Sequence, residues 1–142
     1  MKKLIVFPFL LIFFLSGAQD LLEFTIYHYG LCDVSSGICN RKPGNINLNS
    51  RIGWIESKNL DFKVYLRQMQ ETKVVHNITL TETITDNKAY TIWKGTDYAD
   101  GAFSKDIILR AEYEGDYRVT FYIYNNKEGA LGRYYICDRK RQ

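Results

Sequence analysis

Proline and histidine are scarce in this chain, with two of each among 142 residues. Pro8 and Pro43 stand far apart, and no Gly/Ser-rich stretch, charge block or internal repeat divides the sequence, so linkers between domains are not expected. His28 and His76, with three cysteines that lack close CxxC spacing, cannot supply the clustered four-ligand set of a zinc site. No nucleophile elbow, phosphate loop or HExxH helix occurs. The carboxylates are scattered, and Asp97, Asp100 and Asp106 lack the alternate-oxygen order of a calcium loop. The expectation is a protein that is not an enzyme and holds neither metal nor cofactor.

Long apolar runs are missing too, with one exception. Lys2 and Lys3 precede the run from Leu4 to Leu15, and Ser16-Gly17-Ala18 follows with the small residues a signal peptidase accepts. This predicts a signal peptide over residues 1–18, cleaved between Ala18 and Gln19. The run is shorter than the roughly 20 residues a membrane-spanning helix needs, so no stable membrane insertion is expected. Residues 19–142 then form one domain, secreted to an extracellular or lumenal space, or to the periplasm in a bacterium, where disulfides persist. Losing Lys2 and Lys3 brings the formal net charge from +3 to about +1, which names no nucleic-acid partner. Arg133, Arg139, Lys140 and Arg141 make the C-terminal end locally basic and read as a solvated terminus.

What the chain has in abundance is alternation. Leu60, Phe62, Val64 and Leu66 interleave with Asp61, Lys63, Tyr65 and Arg67. Tyr117, Val119, Phe121 and Ile123 interleave with Arg118, Thr120, Tyr122 and Tyr124, and the run stops at the turn-forming pair Asn125-Asn126. Residues 129–137 return as the other half of a hairpin. Residues 23–29, 46–55, 74–83, 90–94 and 106–113 are rich in β-branched and aromatic residues, separated by Asp86-Asn87, Asp100-Gly101 and Glu114-Gly115-Asp116. No segment has the i, i+3, i+4, i+7 pattern of a helix. These features predict an all-β fold, an antiparallel immunoglobulin-like β-sandwich of about seven strands, with Tyr117 placed like a corner tyrosine.

Cys32, Cys39 and Cys137 are odd in number, so one is free or pairs between chains. Two pairings are open. Cys32 with Cys39 closes a short loop worth about 2 to 3 kcal/mol, whereas Cys39 with Cys137 closes nearly the whole domain, worth on the order of 4 to 5 kcal/mol. His76 reads as a strand residue with a satisfied imidazole, in phase with Val74, Ile78 and Leu80. Asn77-Ile78-Thr79 is an N-glycosylation acceptor pattern on the opposite face, so a glycan at Asn77 is expected in a eukaryotic host.

Gly115-Asp116-Tyr117-Arg118-Val119, the alternating strand after it, the turn Asn125-Asn126-Lys127-Glu128-Gly129 and Leu131 to Cys137 together resemble the C-terminal hairpin of the ML (lipid-recognition) domain family. Ile46 to Asn49 and the strand from Leu60 to Leu66 sit where that family has its second and third strands. The resemblance implies a disulfide between Cys39 and Cys137. It also implies a cup in which a lipid or other apolar small molecule lies between two splayed sheets, lined by Phe62, Val64, Leu66, Ile107, Leu109, Val119, Phe121 and Ile123. Trp54, Trp93 and Tyr98 are candidates for the rim. The other expectation is an interaction or adhesion module with a solid core, meeting a cell-surface or secreted protein through tyrosines such as Tyr65, Tyr122 and Tyr124.

Overall fold

In a computed structural model of the chain, residues 21–35, 38–41, 53–125 and 131–140 are described. The expected signal peptide, its cleavage point and most of the expected strand over residues 46–55 lie outside them. Nine strands follow one another: β1 (Leu22–Ser35), β2 (Ile38–Arg41), β3 (Gly53–Lys58), β4 (Asp61–Gln68), β5 (Glu71–Asp86), β6 (Tyr90–Asp97), β7 (Lys105–Glu114), β8 (Arg118–Tyr124) and β9 (Leu131–Arg139). No helix occurs among the described residues.

Each strand from β3 to β9 pairs antiparallel with the next, and β1 pairs with both β3 and β9. Eight strands therefore close into an up-and-down barrel, and β2 is a short ninth strand that extends β1 beyond its pairing with β3. The expected immunoglobulin-like sandwich is corrected by this closure. In-and-out alternation is common to sandwich and barrel; the closing ladder, from Phe24 opposite Arg139 to Asp33 opposite Leu131, joins the two ends of the domain and leaves no local mark in the sequence. Tyr117 is not a buried corner tyrosine but half-exposed, in the tight turn where Gly115 takes φ 68°.

Register rows cross the barrel at a slant. One runs Leu22, Ser57, Phe62, Ile78, Asp97 across five strands, and another Tyr29, Tyr135, Phe121, Ala111, Thr91. The slant is the strand tilt that closure of eight strands requires. The inward residues form the main core, with Phe24, Ile26, Ile55, Phe62, Phe121 and Tyr135 among its largest members. β5 carries an irregularity opposite Val64 and Tyr65, which leaves Val75 as the extra residue. Alternation counted straight through it fails: His76 and Ile78 point inward while Val74 is exposed.

The disulfide joins Cys32 to Cys39, with Cα atoms 5.5 Å apart, and Cys137 is free. This corrects the expected bond between Cys39 and Cys137. Gly132 and Cys137 are five residues apart on β9 and so face opposite sides of the wall. Cys137 faces inward, between Val119 and Ile26, whereas Cys32 lies opposite Gly132 on the outside. A side chain on Gly132 would collide with both sulfurs of the disulfide, at 2.6 and 3.0 Å. The barrel wall thus separates Cys39 from Cys137.

Candidate functional site

All eight residues expected to line a ligand space face the lumen and are buried. Two of them, Phe62 and Phe121, meet across it. In the ring of eight strands β4 stands diametrically opposite β8, yet the Phe62 and Phe121 rings are 5.0 Å apart, edge to face. Phe24 reaches Phe121 from β1 at 5.1 Å, also edge to face. These contacts plug the half of the barrel that holds the start of β4 and β8. Separations near 5 Å are ordinary for packed aromatic pairs.

The other half is crossed by a polar strut. β5 and β9 are also diametrically opposed, and His76 Nε2 lies 2.9 Å from the Tyr135 hydroxyl while His76 Nδ1 lies 2.6 Å from Asp97 Oδ2. A consistent proton arrangement has Nδ1–H donating to the carboxylate and the Tyr135 hydroxyl donating to Nε2. Asp97 also accepts from the backbone N–H of Asn77 and of Ala99, at 2.9 and 3.0 Å. Burial pushes the Asp97 carboxyl up, but the hydrogen bond from His76 and the two backbone donors outweigh it and hold the group below its ordinary value. Burial drives Tyr135 well above the usual tyrosine range. Tyr29 stacks on Tyr135 at 6.1 Å and completes this layer.

A second polar cluster sits toward the opposite end of the lumen. The Thr91 hydroxyl donates to Asp86 at 2.9 Å and lies 2.7 Å from the Tyr113 hydroxyl, which donates to it in turn. Burial pushes Tyr113 up to about 12. Among the described residues no group of three or more His, Cys, Asp or Glu side chains could hold a metal ion. Burial raises the thiol of the lumenal Cys137 as well, which makes it unreactive while the barrel is closed.

The rim candidates separate. Trp93 is not at a rim: it points into the core, and its indole Nε1 is buried with no hydrogen-bond partner among the described residues. Tyr98 is exposed in the loop between β6 and β7, with Phe103. Trp54 lies on the outer wall, where its ring stacks on Tyr65 of β4 at 5.0 Å and 13°, its Nε1 donates to Glu56 at 3.1 Å, and the Arg67 guanidinium stands 5.8 Å from the ring centre. Of the tyrosines expected on an exposed face, only Tyr65 is partly open. Tyr122 and Tyr124 point outward but are buried with Tyr134 and Ile108 against the Cys32–Cys39 disulfide. Asn77 lies opposite Lys63 on the outward side of β5.

Sequence reasoning found the lumen residues and a satisfied His76, and missed its partners. Asp97 and Tyr135 lie 21 and 59 residues from His76, a pairing that only closure creates. The one signal available was an aspartate at an inward phase of β6, since a buried carboxylate demands a partner. Compared with family models, curated proteins and solved structures, the chain matches none.

Proposed function

We propose that the protein is a secreted binding module that engages its partner with the outside of a filled barrel and carries nothing in the lumen. The observation behind this reading is that side chains from opposite walls meet through the centre, Phe62 with Phe121 in one half and His76 with Tyr135 in the other. Eight strands enclose a space that side chains alone can fill. Secretion rests on the signal-peptide pattern of residues 1–18, and a disulfide is at home in an oxidising compartment.

Carriage of an apolar small molecule is the second reading. It is favoured by the eight inward apolar residues and by Trp93 Nε1, whose buried N–H a guest in the lumen would satisfy. Such a guest has to part Phe62 from Phe121 or break the His76–Tyr135 bridge. Native mass spectrometry of protein purified from its secreting host separates the two. The bare polypeptide mass is expected, with no response to a fluorescent fatty acid; a stoichiometric lipid adduct would overturn the filled-barrel reading.

A further inference from the structure

The outer wall of β1, β3 and β4 carries a groove of about 440 Å³, formed by Trp54, Glu56 and Arg67 with Glu23, Lys140 and the Gly53 backbone. We propose that this groove binds a neutral saccharide, with the apolar C–H face of a sugar ring laid on the Trp54 indole. The inference builds on the reading of the protein as an outside-binding module and names its ligand class.

Three features of the groove select that chemistry. First, the aromatic platform is fixed before any ligand arrives. Trp54 is braced by the Tyr65 ring at 5.0 Å and anchored through Nε1 to Glu56, so little rotamer freedom is lost on binding. A pyranose has one face of C–H groups and an edge of hydroxyls, and it needs an apolar plane bordered by hydrogen-bonding groups.

Second, the border is charged yet balanced. Glu23 and Glu56 are offset by Arg67 and Lys140, so the lining has no net charge and favours neither a polyanion nor a polycation. Third, the polar groups are held in place but not exhausted. Lys140 Nζ donates to Glu23 at 2.9 Å and Trp54 Nε1 to Glu56 at 3.1 Å, which leaves each carboxylate with free lone pairs. Arg67 forms no ion pair among the described residues; its guanidinium stands over the Trp54 ring, 5.8 Å from the centre, and has to swing aside for a sugar to lie there, which brings its donors to the hydroxyl edge. Donors and acceptors side by side suit a sugar hydroxyl, which is both at once.

The test is affinity electrophoresis of the full mature protein through gels containing cellulose, mannan or starch derivatives without charge, with heparin and hyaluronan as charged controls. At least one neutral polysaccharide is expected to retard the wild type. Trp54→Ala is expected to weaken that retardation at least tenfold, while Trp54→Phe, which keeps an aromatic plane, retains most of it. Thermal unfolding of each variant shows that the barrel is intact, and Arg67→Ala provides a second change that leaves the Trp54–Tyr65 stack in place. Titration with the matching oligosaccharide should also move tryptophan emission, because Trp93 is buried and Trp54 is the accessible indole. Failure of every neutral polysaccharide, retardation by heparin alone, or full binding by Trp54→Ala overturns the proposal. A lipid adduct in the native mass would instead defeat the filled-barrel reading without touching the Trp54 result, so the two failures are told apart.

Discussion

Phe121 stands where the two readings of the lumen diverge. Its ring touches Phe62 from the opposite wall and Phe24 from β1, at 5.0 and 5.1 Å. Phe121→Trp adds a fused ring beside two rings that Phe121 already meets edge to face, and overpacking of this kind costs about 1 to 3 kcal/mol. For a domain of this size that lowers the unfolding midpoint by roughly 4 to 15 °C. Phe121→Ala does the reverse: it removes the ring that both neighbours pack on and costs about 3 to 5 kcal/mol. The void it leaves is lined by aromatic and aliphatic groups, and such voids stay dry and accept benzene-sized guests. A filled barrel thus predicts a paired outcome. Wild type binds neither a fatty-acid probe nor benzene, Phe121→Trp is destabilised, and Phe121→Ala is destabilised but regains stability when benzene is added. Differential scanning calorimetry with and without benzene, beside the fatty-acid titration, reads all three. If Phe121→Trp unfolds at the wild-type temperature and the wild type binds the probe, the ring borders open space and the argument from ring distances is wrong.

Asp97 gives a pH dependence whose sign is fixed. Its carboxyl is held below the ordinary value in the folded chain, so the stabilisation is fully present above the unfolded pKa and is lost as pH falls through the folded one. Asp97→Asn removes the charge-assisted bond to His76, costs about 1.5 to 3 kcal/mol at neutral pH, and should abolish that acid-side loss in urea unfolding series; an unchanged acid limb would refute the assignment. Met69, in the two-residue turn between β4 and β5, takes φ 59° with its side chain exposed. Met69→Gly relieves the left-handed strain and should raise stability by about 1 kcal/mol in chemical unfolding, whereas a loss would show that the side chain has contacts of value. Peptide mapping without reduction should recover the Cys32–Cys39 link as the main species, and Cys137 should resist alkylation until denaturant opens the barrel. Fast labelling of Cys137 in the native state would mean that the lumen breathes.

The strands were readable because burial of one face writes alternation into the chain, and β4 follows it residue by residue; β8 alternates in direction although Thr120, Tyr122 and Tyr124 on its outer side are buried as well. The architecture could have been read one step further. Asn59-Leu60 and Met69-Gln70 link neighbouring strands by two-residue turns, and residues 87–89 and 115–117 link β5 to β6 and β7 to β8 almost as tightly. Sandwiches with Greek-key connections need long crossings between sheets, and this chain has none between β3 and β6. Such a meander can close only if its ends meet. The length of β1 was not legible, because its latter half pairs with β2 on one side and β9 on the other, and neither contact marks the local sequence. The irregularity at Val75 defeated the phase of Val74 for the same reason: an extra residue is invisible to a period-2 count. The outer platform was missed because Trp54 was expected at a rim, and its place on the outer wall depends on a cross-strand pairing with Tyr65 that the local sequence does not mark.

Polar groups inside a filled barrel have a structural consequence that follows from register. A slip of one residue between strands turns the apolar face outward and is strongly opposed, but a slip of two keeps every apolar residue inside. Apolar contacts are non-directional and discriminate poorly among such alternatives. The Asp97–His76–Tyr135 strut does discriminate. A two-residue slip of β6 on β5 would move Asp97 away from both His76 and the Asn77 N–H, leaving a buried carboxylate with its hydrogen bonds broken. A slip of β9 would likewise strand the Tyr135 hydroxyl. The Asp86–Thr91–Tyr113 cluster holds the ladder between β5, β6 and β7 toward the other end. Between them the two clusters tie four of the eight barrel strands, β5, β6, β7 and β9, to one register at each end of the lumen. Neither cluster reaches β1, β3, β4 or β8, and there the aromatic contacts of Phe121 with Phe24 and Phe62 join β8 to β1 and β4 instead. A change of shape at Phe121 therefore acts where directional polar contacts across the lumen are replaced by apolar ones, which discriminate less between registers.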